Sequence, residues 1–473
     1  MKRGKRLLLL CLALVVVAGA AFAALKLVPD ETVEEAETVQ VCSFDEDSIT
    51  KLQWTYEGET LCFDSDGSVW TYDADEDFPL DQAYMSAMTG AVSEVTATKV
   101  IEGADDLSEY GLDEPVCSVA VTASGETTTI DIGDETSLDG LRYVSVGDGN
   151  VYLVSSDLLT DFSYGLYDLV DMEALPDMSE LVSISVERPS GSLLIEKLEG
   201  SGLALTDRYE YFARNGEDGY TVLSNELAYS FIYQVTGLTW DSCVDYKAEL
   251  KTLQDYGLDS PSATVTISYI ETTEVETNET DEDGNAVTET RTEEKSLTLE
   301  FGSYSGDDCY CRIADSGMVY LVDGSICDSL LYTSVDELLP ENIILLDWDG
   351  MTGFDIELGG ESYGFGMEYS EDDNAYLYTL DGENFALDEV LDSIEALPSN
   401  GEAPESAAGL EELLAVTFHA DGWEDVELRI YSYDSSSCLA VLNGEIKLLT
   451  DRTDVESLCD TITELLAGEA EEE

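Results

Sequence analysis

Residue types that commonly carry catalysis are scarce in this chain. His419 is the single histidine, and it stands in an alternating apolar stretch that predicts a β-strand. We take a catalytic triad and a histidine-rich metal site to be excluded on this basis. Phosphate-binding glycine loops are also missing from the sequence. We therefore predict a protein that is not an enzyme, with no catalytic residue and no cofactor.

Carboxylates are the one abundant reactive group. The chain has 103 Asp and Glu residues against 20 Lys and Arg residues, which gives a formal net charge of −83. A pair of carboxylates can hydrolyse a glycosidic bond, one as the acid and the other as base or nucleophile. Among so many carboxylates no pair stands out. An envelope hydrolase that uses an Asp/Glu pair is therefore kept as an alternative function.

Calcium is the metal that these oxygen ligands would favour. Glu279, Asp281 and Asp283 precede Gly284 in an order that imitates the first half of an EF-hand loop. The twelfth position of that loop would be Thr290, where the motif needs Glu, and no flanking helices are predicted. The turn of an exposed hairpin is the preferred interpretation. The three acidic residues remain the calcium candidates, and a calcium-binding surface protein is a second alternative.

The N-terminal residues 1–29 have the pattern of a membrane anchor. A basic tip of four Lys and Arg residues is followed by an uncharged stretch from Leu7 to Leu25. As a helix this stretch is roughly 28 Å long, close to the roughly 30 Å hydrocarbon core of a bilayer. The positive-inside rule leaves the tip in the cytoplasm and places the bulk of the chain outside. We predict a single-pass bacterial membrane protein with a signal-anchor helix, and cleavage by a signal peptidase stays open.

The charge beyond the anchor restricts the partners. Five of the 20 basic residues precede Asp30, which leaves 15 against all 103 acidic residues in the remainder. Such a field repels nucleic acid and attracts cations or basic partners, so nucleic-acid binding is excluded. The apolar content of 44% is near the globular norm, and we expect the remainder to fold.

Nine of the ten cysteines lie beyond the anchor, with Cys11 inside it. An odd number leaves at least one thiol without an internal partner. Cys309 and Cys311 are two apart on a predicted strand, and we expect them to face opposite sides, which disfavours a disulfide or a zinc site between them. We interpret both as small buried residues.

A six-residue pattern, Tyr-Gly-Leu-Asp-x-Pro, occurs twice in the chain. Its glycine suits the left-handed position after a helical turn, its leucine the accompanying apolar contact, and its proline forbids continuation, so we interpret it as a structural helix stop. Each copy follows a helix with one apolar face. The motif residues are Tyr110, Gly111, Leu112, Asp113, Pro115, Tyr256, Gly257, Leu258, Asp259 and Pro261. The helix faces are Tyr84, Met88, Ala91 and Val95 in the first copy, and Leu227, Phe231, Val235 and Leu238 in the second.

The repeat divides the chain and predicts its fold class. We predict an α+β protein of repeated antiparallel-sheet units, each with one or two short helices. The predicted ranges are 44–176 for unit 1, 177–342 for unit 2 with an acidic hairpin insertion at 270–295, 343–467 for a degenerate unit 3 with only Gly409-Leu410 of the motif, and 468–473 for a disordered acidic tail.

The paired motifs, the strands after them and Tyr143-Val144 on a later strand resemble the bacterial domain-of-unknown-function 4340 family. The resemblance covers about residues 49–332. It implies a membrane-anchored or exported protein for which no catalytic residue is established, and some members occur beside ABC-type export systems. We therefore expect a non-enzymatic interaction or scaffold module, held to the membrane by residues 7–25, with an envelope protein such as a transporter subunit as its partner. Tyr209, Tyr211 and Phe212 are either core residues or an exposed contact cluster.

Overall fold

Three large antiparallel sheets, one two-stranded sheet and a few short helices make up the part of the chain that the structure describes. This computed structural model describes residues 38–468 except 138–139, 199–208, 217–218, 281–285, 346–350, 371–374, 402, 404–405, 421–424 and 445. Alternation of buried and exposed residues explains the strands: the β-strand Cys117–Ala123 buries every second side chain on one face of its sheet.

The first compact unit ends at Met172 and contains an eight-stranded sheet with the order β4-β3-β2-β7-β8-β9-β10-β6, plus the pair β1-β5. Its elements are β1 Val39–Ser43, β2 Ile49–Tyr56, β3 Glu59–Ser65, β4 Trp70–Tyr72, α1 Gln82–Ser93, β5 Glu94–Ala97, β6 Lys99–Glu102, β7 Cys117–Ala123, β8 Glu126–Glu135, β9 Leu141–Ser145, β10 Asn150–Ser155 and α2 Asp157–Asp161.

The second compact unit begins at Glu173 and contains two further sheets. The second sheet has the order β14-β13-β12-β11-β16-β17-β18-β19-β15. Its elements are β11 Leu181–Arg188, β12 Gly191–Lys197, β13 Tyr211–Asn215, β14 Gly219–Val222, α3 Asn225–Thr236, β15 Ser242–Asp245, β16 Ala263–Thr280, β17 Ala286–Ser305, β18 Asp308–Ile313, β19 Val319–Asp323 and α4 Gly324–Tyr332.

The third sheet has the order β23-β22-β21-β20-β24-β25-β26-β27. Its elements are β20 Met351–Leu358, β21 Glu361–Ser370, β22 Ala375–Leu380, β23 Glu383–Phe385, α5 Asp388–Glu395, β24 Glu412–Ala420, β25 Val426–Ser432, β26 Ser437–Leu442, β27 Ile446–Asp451 and α6 Arg452–Gly468.

The three sheets share one topology. In each, the strand that opens the copy (β2, β11 or β20) pairs with the strand that follows the helix and the motif region (β7, β16 or β24). The predicted α+β class of repeated antiparallel sheets with short helices is confirmed at this level. The third sheet lacks the edge strand that β6 and β15 supply in the other two.

Parts of the two ends of the chain and of the acidic insertion lie outside the described residues. The predicted membrane span from Leu7 to Leu25 lies outside the described residues. Among the helices of residues 38–468, none is long and apolar enough to cross a membrane. The insertion at 270–295 belongs to the long β16–β17 hairpin, whose strands pair from Ala263 opposite Phe301 onward. Of the predicted tail 468–473, only Gly468 is described, and it ends α6.

Strand β13 joins the second and third sheets into one compact unit, although the sequence predicts separate units. Phe212 packs in the core of the third sheet. Its neighbours Tyr211 and Ala213 point to the other face and pack in the core of the second sheet. Tyr209 also packs against the third sheet. These aromatics are buried, so their interpretation as core residues is confirmed.

The Tyr-Gly-Leu-Asp-x-Pro motif ends a single turn of 3-10 helix in each copy. The N–H of Leu112 donates to the carbonyl of Leu107 at 3.0 Å, and that of Leu258 donates to Leu253 at 2.8 Å. Gly111 has φ 64°. These six-to-one bonds around a left-handed glycine are those of a Schellman motif. The helices with the predicted apolar faces end earlier, at Ser93 and at Thr236, so that Val95 and Leu238 lie beyond them.

A second glycine makes room for the motif on the neighbouring strand. A Cβ atom on Gly133 of β8 would lie 2.3 Å from the Tyr110 carbonyl oxygen, and one on Gly302 of β17 would lie 2.2 Å from that of Tyr256. Both strands shift register beside these glycines. The motif therefore rests on a backbone-to-backbone contact that only glycine allows.

We expect the variant Gly133→Ala to destabilise the first unit by about 1–3 kcal/mol, because the added methyl overlaps a backbone oxygen that cannot move aside. Chemical denaturation followed by circular dichroism measures this change. Gly90→Ala is the matched control, since nothing lies within 4 Å of a Cβ at that helical position. It should leave the stability unchanged or raise it slightly. Equal midpoints for the two variants would show that the contact is unimportant.

Candidate functional site

His419 lies between two aspartates on the third sheet. Its Nε2 is 3.2 Å from Asp355 Oδ2, and its Nδ1 is 3.1 Å from Asp425 Oδ2. Burial lowers the pKa of His419, but the hydrogen bonds to Asp425 and Asp355 outweigh burial and raise the pKa above its ordinary value of 6.5. The imidazole therefore has an acidic partner on each ring nitrogen and is not a free base.

The calcium candidates Glu279, Asp281 and Asp283 have no contact with one another among the described residues. The backbone of Glu279 belongs to β16, and its side chain is outside the described part, as are Asp281 and Asp283. A different group, Cys62, Asp64 and Asp73, has ligand atoms close enough together to hold a metal ion. Lys51 Nζ lies 3.0 Å from Asp64 and 3.5 Å from Asp73. An ammonium group thus already occupies the position that a cation would take.

The expected orientation of Cys309 and Cys311 was wrong. Residues two apart on a strand point to the same side of the sheet, and both side chains are fully buried in the core of the second sheet. Their interpretation as small buried residues is confirmed. A third buried cysteine, Cys327 of α4, lies in the same core and raises the pKa of Cys309.

A cavity of about 370 Å³ lies beside α1 and α2 in the first unit. It is lined by side chains of two kinds, carboxylates and apolar or aromatic groups. These are Asp81, Ala83, Tyr84, Ala87, Met88, Asp161 and Tyr164. A volume of this size is within the range of pockets that hold small molecules or a single protein side chain.

Helix capping and core packing position the walls of this cavity. Asp81 is the N-cap of α1, and its side chain accepts a hydrogen bond from the Ala83 N–H at 2.8 Å. Tyr164 follows α2, where its carbonyl accepts from Trp54 Nε1 at 3.4 Å. The Tyr84 and Tyr164 rings meet edge to face at 5.2 Å between centroids. The two rings therefore form a fixed aromatic wall.

Asp161 is the group in this cavity with unusual electrostatics. Burial raises its pKa, and the negative charge of Asp157 raises it further. Among the described residues, no Lys or Arg forms an ion pair with it. Asp81 is committed to its helix cap, so the cavity offers one half-buried carboxylate without a cation, not a free pair of the kind that a glycosidase needs.

The second unit carries the same helix pair without this chemistry. Both copies contain Val-Tyr-Leu-Val on the strand before the closing helix, at 151–154 and 319–322. Counted from that sequence, Asp161 corresponds to Ser329, and Tyr164 corresponds to Tyr332, which is 75% exposed. Tyr84 was predicted to lie on an apolar helix face, and no role was predicted for Asp161. The difference in sequence between the two copies, Asp161 in one and Ser329 in the other, could have indicated that this position matters.

Repeated antiparallel sheets with a few short helices define an α+β repeat protein. The family described as domain of unknown function (DUF4340) matches residues 70–228 and 228–412. The chain belongs to this family, and the resemblance drawn from the motifs is confirmed. The two matches follow one another directly, in agreement with the internal repeat. No curated protein and no solved structure matches the chain.

We expect the His419 imidazole to titrate above pH 6.5 in the folded protein. Because its folded pKa is raised, the stabilisation from its aspartate contacts is fully present below the unfolded pKa and is lost as pH rises through the folded pKa. Proton NMR measures this directly, since the chain has a single histidine.

Asp425→Asn should lower the titration midpoint of His419 by removing one of the two negative partners. Glu361→Gln is the control with the same change of charge, because the Glu361 carboxylate accepts from Tyr363 instead. An unchanged midpoint in Asp425→Asn would disprove the contact.

Proposed function

We propose that the protein is a membrane-anchored, extracytoplasmic, non-enzymatic interaction module that binds a basic segment of another envelope protein. The observation that carries this proposal is Asp161, a half-buried carboxylate with no cation of its own, in a cavity walled by Tyr84 and Tyr164. A Lys or Arg side chain is the natural complement of such a cavity. Its charged end pairs with the carboxylate, and its cation is attracted by the faces of aromatic rings.

The charge of the whole chain supports a basic partner. Beyond the anchor pattern, 15 basic residues stand against 103 acidic ones. Several of the basic residues are held in ion pairs, such as Arg312 with Glu300 and Arg429 with Glu412 and Glu427. The uncompensated negative field would speed encounter with a cationic surface and would repel nucleic acid and anionic lipid. A subunit of an ABC-type export system is the partner class that the family resemblance suggests.

The pocket is tested by crosslinking the full-length protein in its native cells and identifying the attached segment by mass spectrometry. Asp161→Asn should reduce recovery of the partner about tenfold or more, because it removes a charge-assisted hydrogen bond while keeping the shape. The attached segment should carry Lys or Arg. Ser329→Ala, at the corresponding position of the second unit, is the matched control and should recover the partner normally. Full recovery with Asp161→Asn would refute binding through this cavity.

The location is tested separately by protease treatment of intact cells from which the wall has been removed. If residues 1–29 anchor the chain with its bulk outside, protease cuts the full-length protein while a cytoplasmic marker protein stays intact. The acidic β16–β17 hairpin offers an exposed stretch for the first cut. The membrane fraction should retain only a short N-terminal fragment. Protection of the whole chain until the cells are lysed would contradict an extracytoplasmic position.

A further inference from the structure

Two buried cysteines from different elements meet in the core of the second sheet. Cys309 lies on β18 and Cys327 in the first half of α4, and both have 0% exposure. Their thiols are close enough for each to shift the pKa of the other. The Cys309 Sγ also lies 3.8 Å from the Gly302 carbonyl oxygen, on the strand that supports the second copy of the motif.

The backbone forces this meeting. Cys309 pairs with Val322 across the β18–β19 ladder, and α4 begins two residues later at Gly324. The Gly324 N–H donates to the Asp307 carbonyl at 3.1 Å, and a Cβ at Gly324 would lie only 2.4 Å from that oxygen. The start of α4 is therefore held against the β17–β18 turn, so its next turn covers β18 and brings Cys327 over Cys309.

The surroundings favour the reactive form of one thiol. The hydrogen bond from Cys309 lowers the pKa of Cys327, burial opposes this, and a hydrogen bond from Tyr304 lowers it again, which leaves the pKa at about 7. The single proton of the Tyr304 hydroxyl is shared between Cys327 and Asp328 Oδ1, which lies 2.5 Å from the hydroxyl oxygen. A thiol that ionises near neutral pH beside a second thiol is the arrangement from which a disulfide forms by exchange.

We infer that Cys309 and Cys327 form a disulfide when the chain folds in the presence of a disulfide-bearing oxidant. The Cys327 thiolate attacks one sulfur of the oxidant and releases the other as a thiol, which leaves a mixed disulfide. Cys309 then loses its proton and attacks the Cys327 sulfur, and the second half of the oxidant leaves as a thiol. Two electrons pass to the oxidant, which is reduced to two thiols, and the protein loses two hydrogens.

The bond would be a structural one, closed during folding. Because both thiols have 0% exposure in the finished fold, exchange takes place late in folding, when Cys327 already neighbours Cys309 but α4 still leaves the thiols open to the oxidant. The finished bond is then shielded from reductants. It would tie the closing helix to the sheet across a short loop of the chain. The proposed extracytoplasmic location supplies the oxidising conditions in the cell. Refolding with a defined oxidant tests the bond itself and does not depend on that location.

The third sheet contains a matched pair of cysteines that should not behave this way. Cys438 lies on β26 and Cys459 on α6, the strand and helix that correspond to β18 and α4. Cys459 is about one helical turn further from the start of its helix than Cys327. The charge of Cys438 contributes to the raised pKa of Cys459, and burial is the larger cause. With the pKa of Cys459 raised to about 11 and that of Cys438 also raised by burial, neither thiol of this pair can start the exchange at neutral pH. In the second sheet the pKa of Cys309 is raised as well, by Cys327 and by burial, but Cys309 acts only in the second step, after Cys327 has started the exchange.

The experiment refolds the full-length chain in detergent with reduced and oxidised glutathione, blocks free thiols with N-ethylmaleimide and digests the product with Asp-N protease. Cleavage before aspartates yields peptides 308–314 and 323–327. We expect these two peptides to be joined, two mass units lighter than their sum, and to separate on reduction. Cys311→Ser should leave the joined pair unchanged, which assigns the bond to Cys309, since both cysteines lie in the first peptide.

Each outcome decides the inference. Joined peptides in the wild type, in Cys311→Ser and in Cys438→Ser, but not in Cys327→Ser, establish the bond. We also expect reduction to lower the melting temperature by roughly 5–10 °C, an effect that Cys327→Ser should remove. Maleimide on both Cys309 and Cys327 after oxidative refolding would overturn the inference. That result would leave the partner proposal untouched, because the crosslinking at Asp161 concerns the other compact unit.

Discussion

Each copy of the unit depends on one long-range strand pairing at the centre of its sheet. In the first unit, Trp54 of β2 lies opposite Val119 of β7, and Trp54 is almost fully buried against Phe63 and Phe162. The chain leaves the sheet to form α1 and must return before this pair can close, which costs loop entropy. The motif completes the return: its Schellman turn is fixed against Gly133, and its proline directs the chain into β7.

The acidity of the chain is compatible with this architecture because the sheets separate the two kinds of residue. Buried positions are almost entirely apolar, and the few buried polar side chains are hydroxyls. Carboxylates lie on the outer faces and in the β16–β17 hairpin, where water and salt screen them. Exposed ion pairs such as Lys295 with Glu293 contribute little to stability. The cores carry the stability, and the surface charge governs which partners can approach.

Period-two patterns and the repeated motif were sufficient to predict repeated antiparallel sheets with short helices, but not the order of the strands in each sheet. Three features were not predictable by that route. Gly133 and Gly302 look like ordinary strand residues until the Tyr110 and Tyr256 carbonyls are placed above them. β13 serves two cores because it buries both faces, which a pattern for one sheet does not reveal. Asp161 is distinguished from the other carboxylates only by the side chains around it, most of which belong to another helix.

The differences between copies are therefore more informative about function than their similarities. The parts that both copies retain, the motif and the Val-Tyr-Leu-Val strand, fix the closing helix against the sheet. The helix then presents different chemistry in each unit: Asp161 and Tyr164 face a cavity in the first, whereas Cys327 faces Cys309 in the second. A duplicated scaffold that keeps its framework can change the residues on one helix without loss of the fold. On this basis the proposed recognition site belongs to the first unit, and the proposed disulfide belongs to the second.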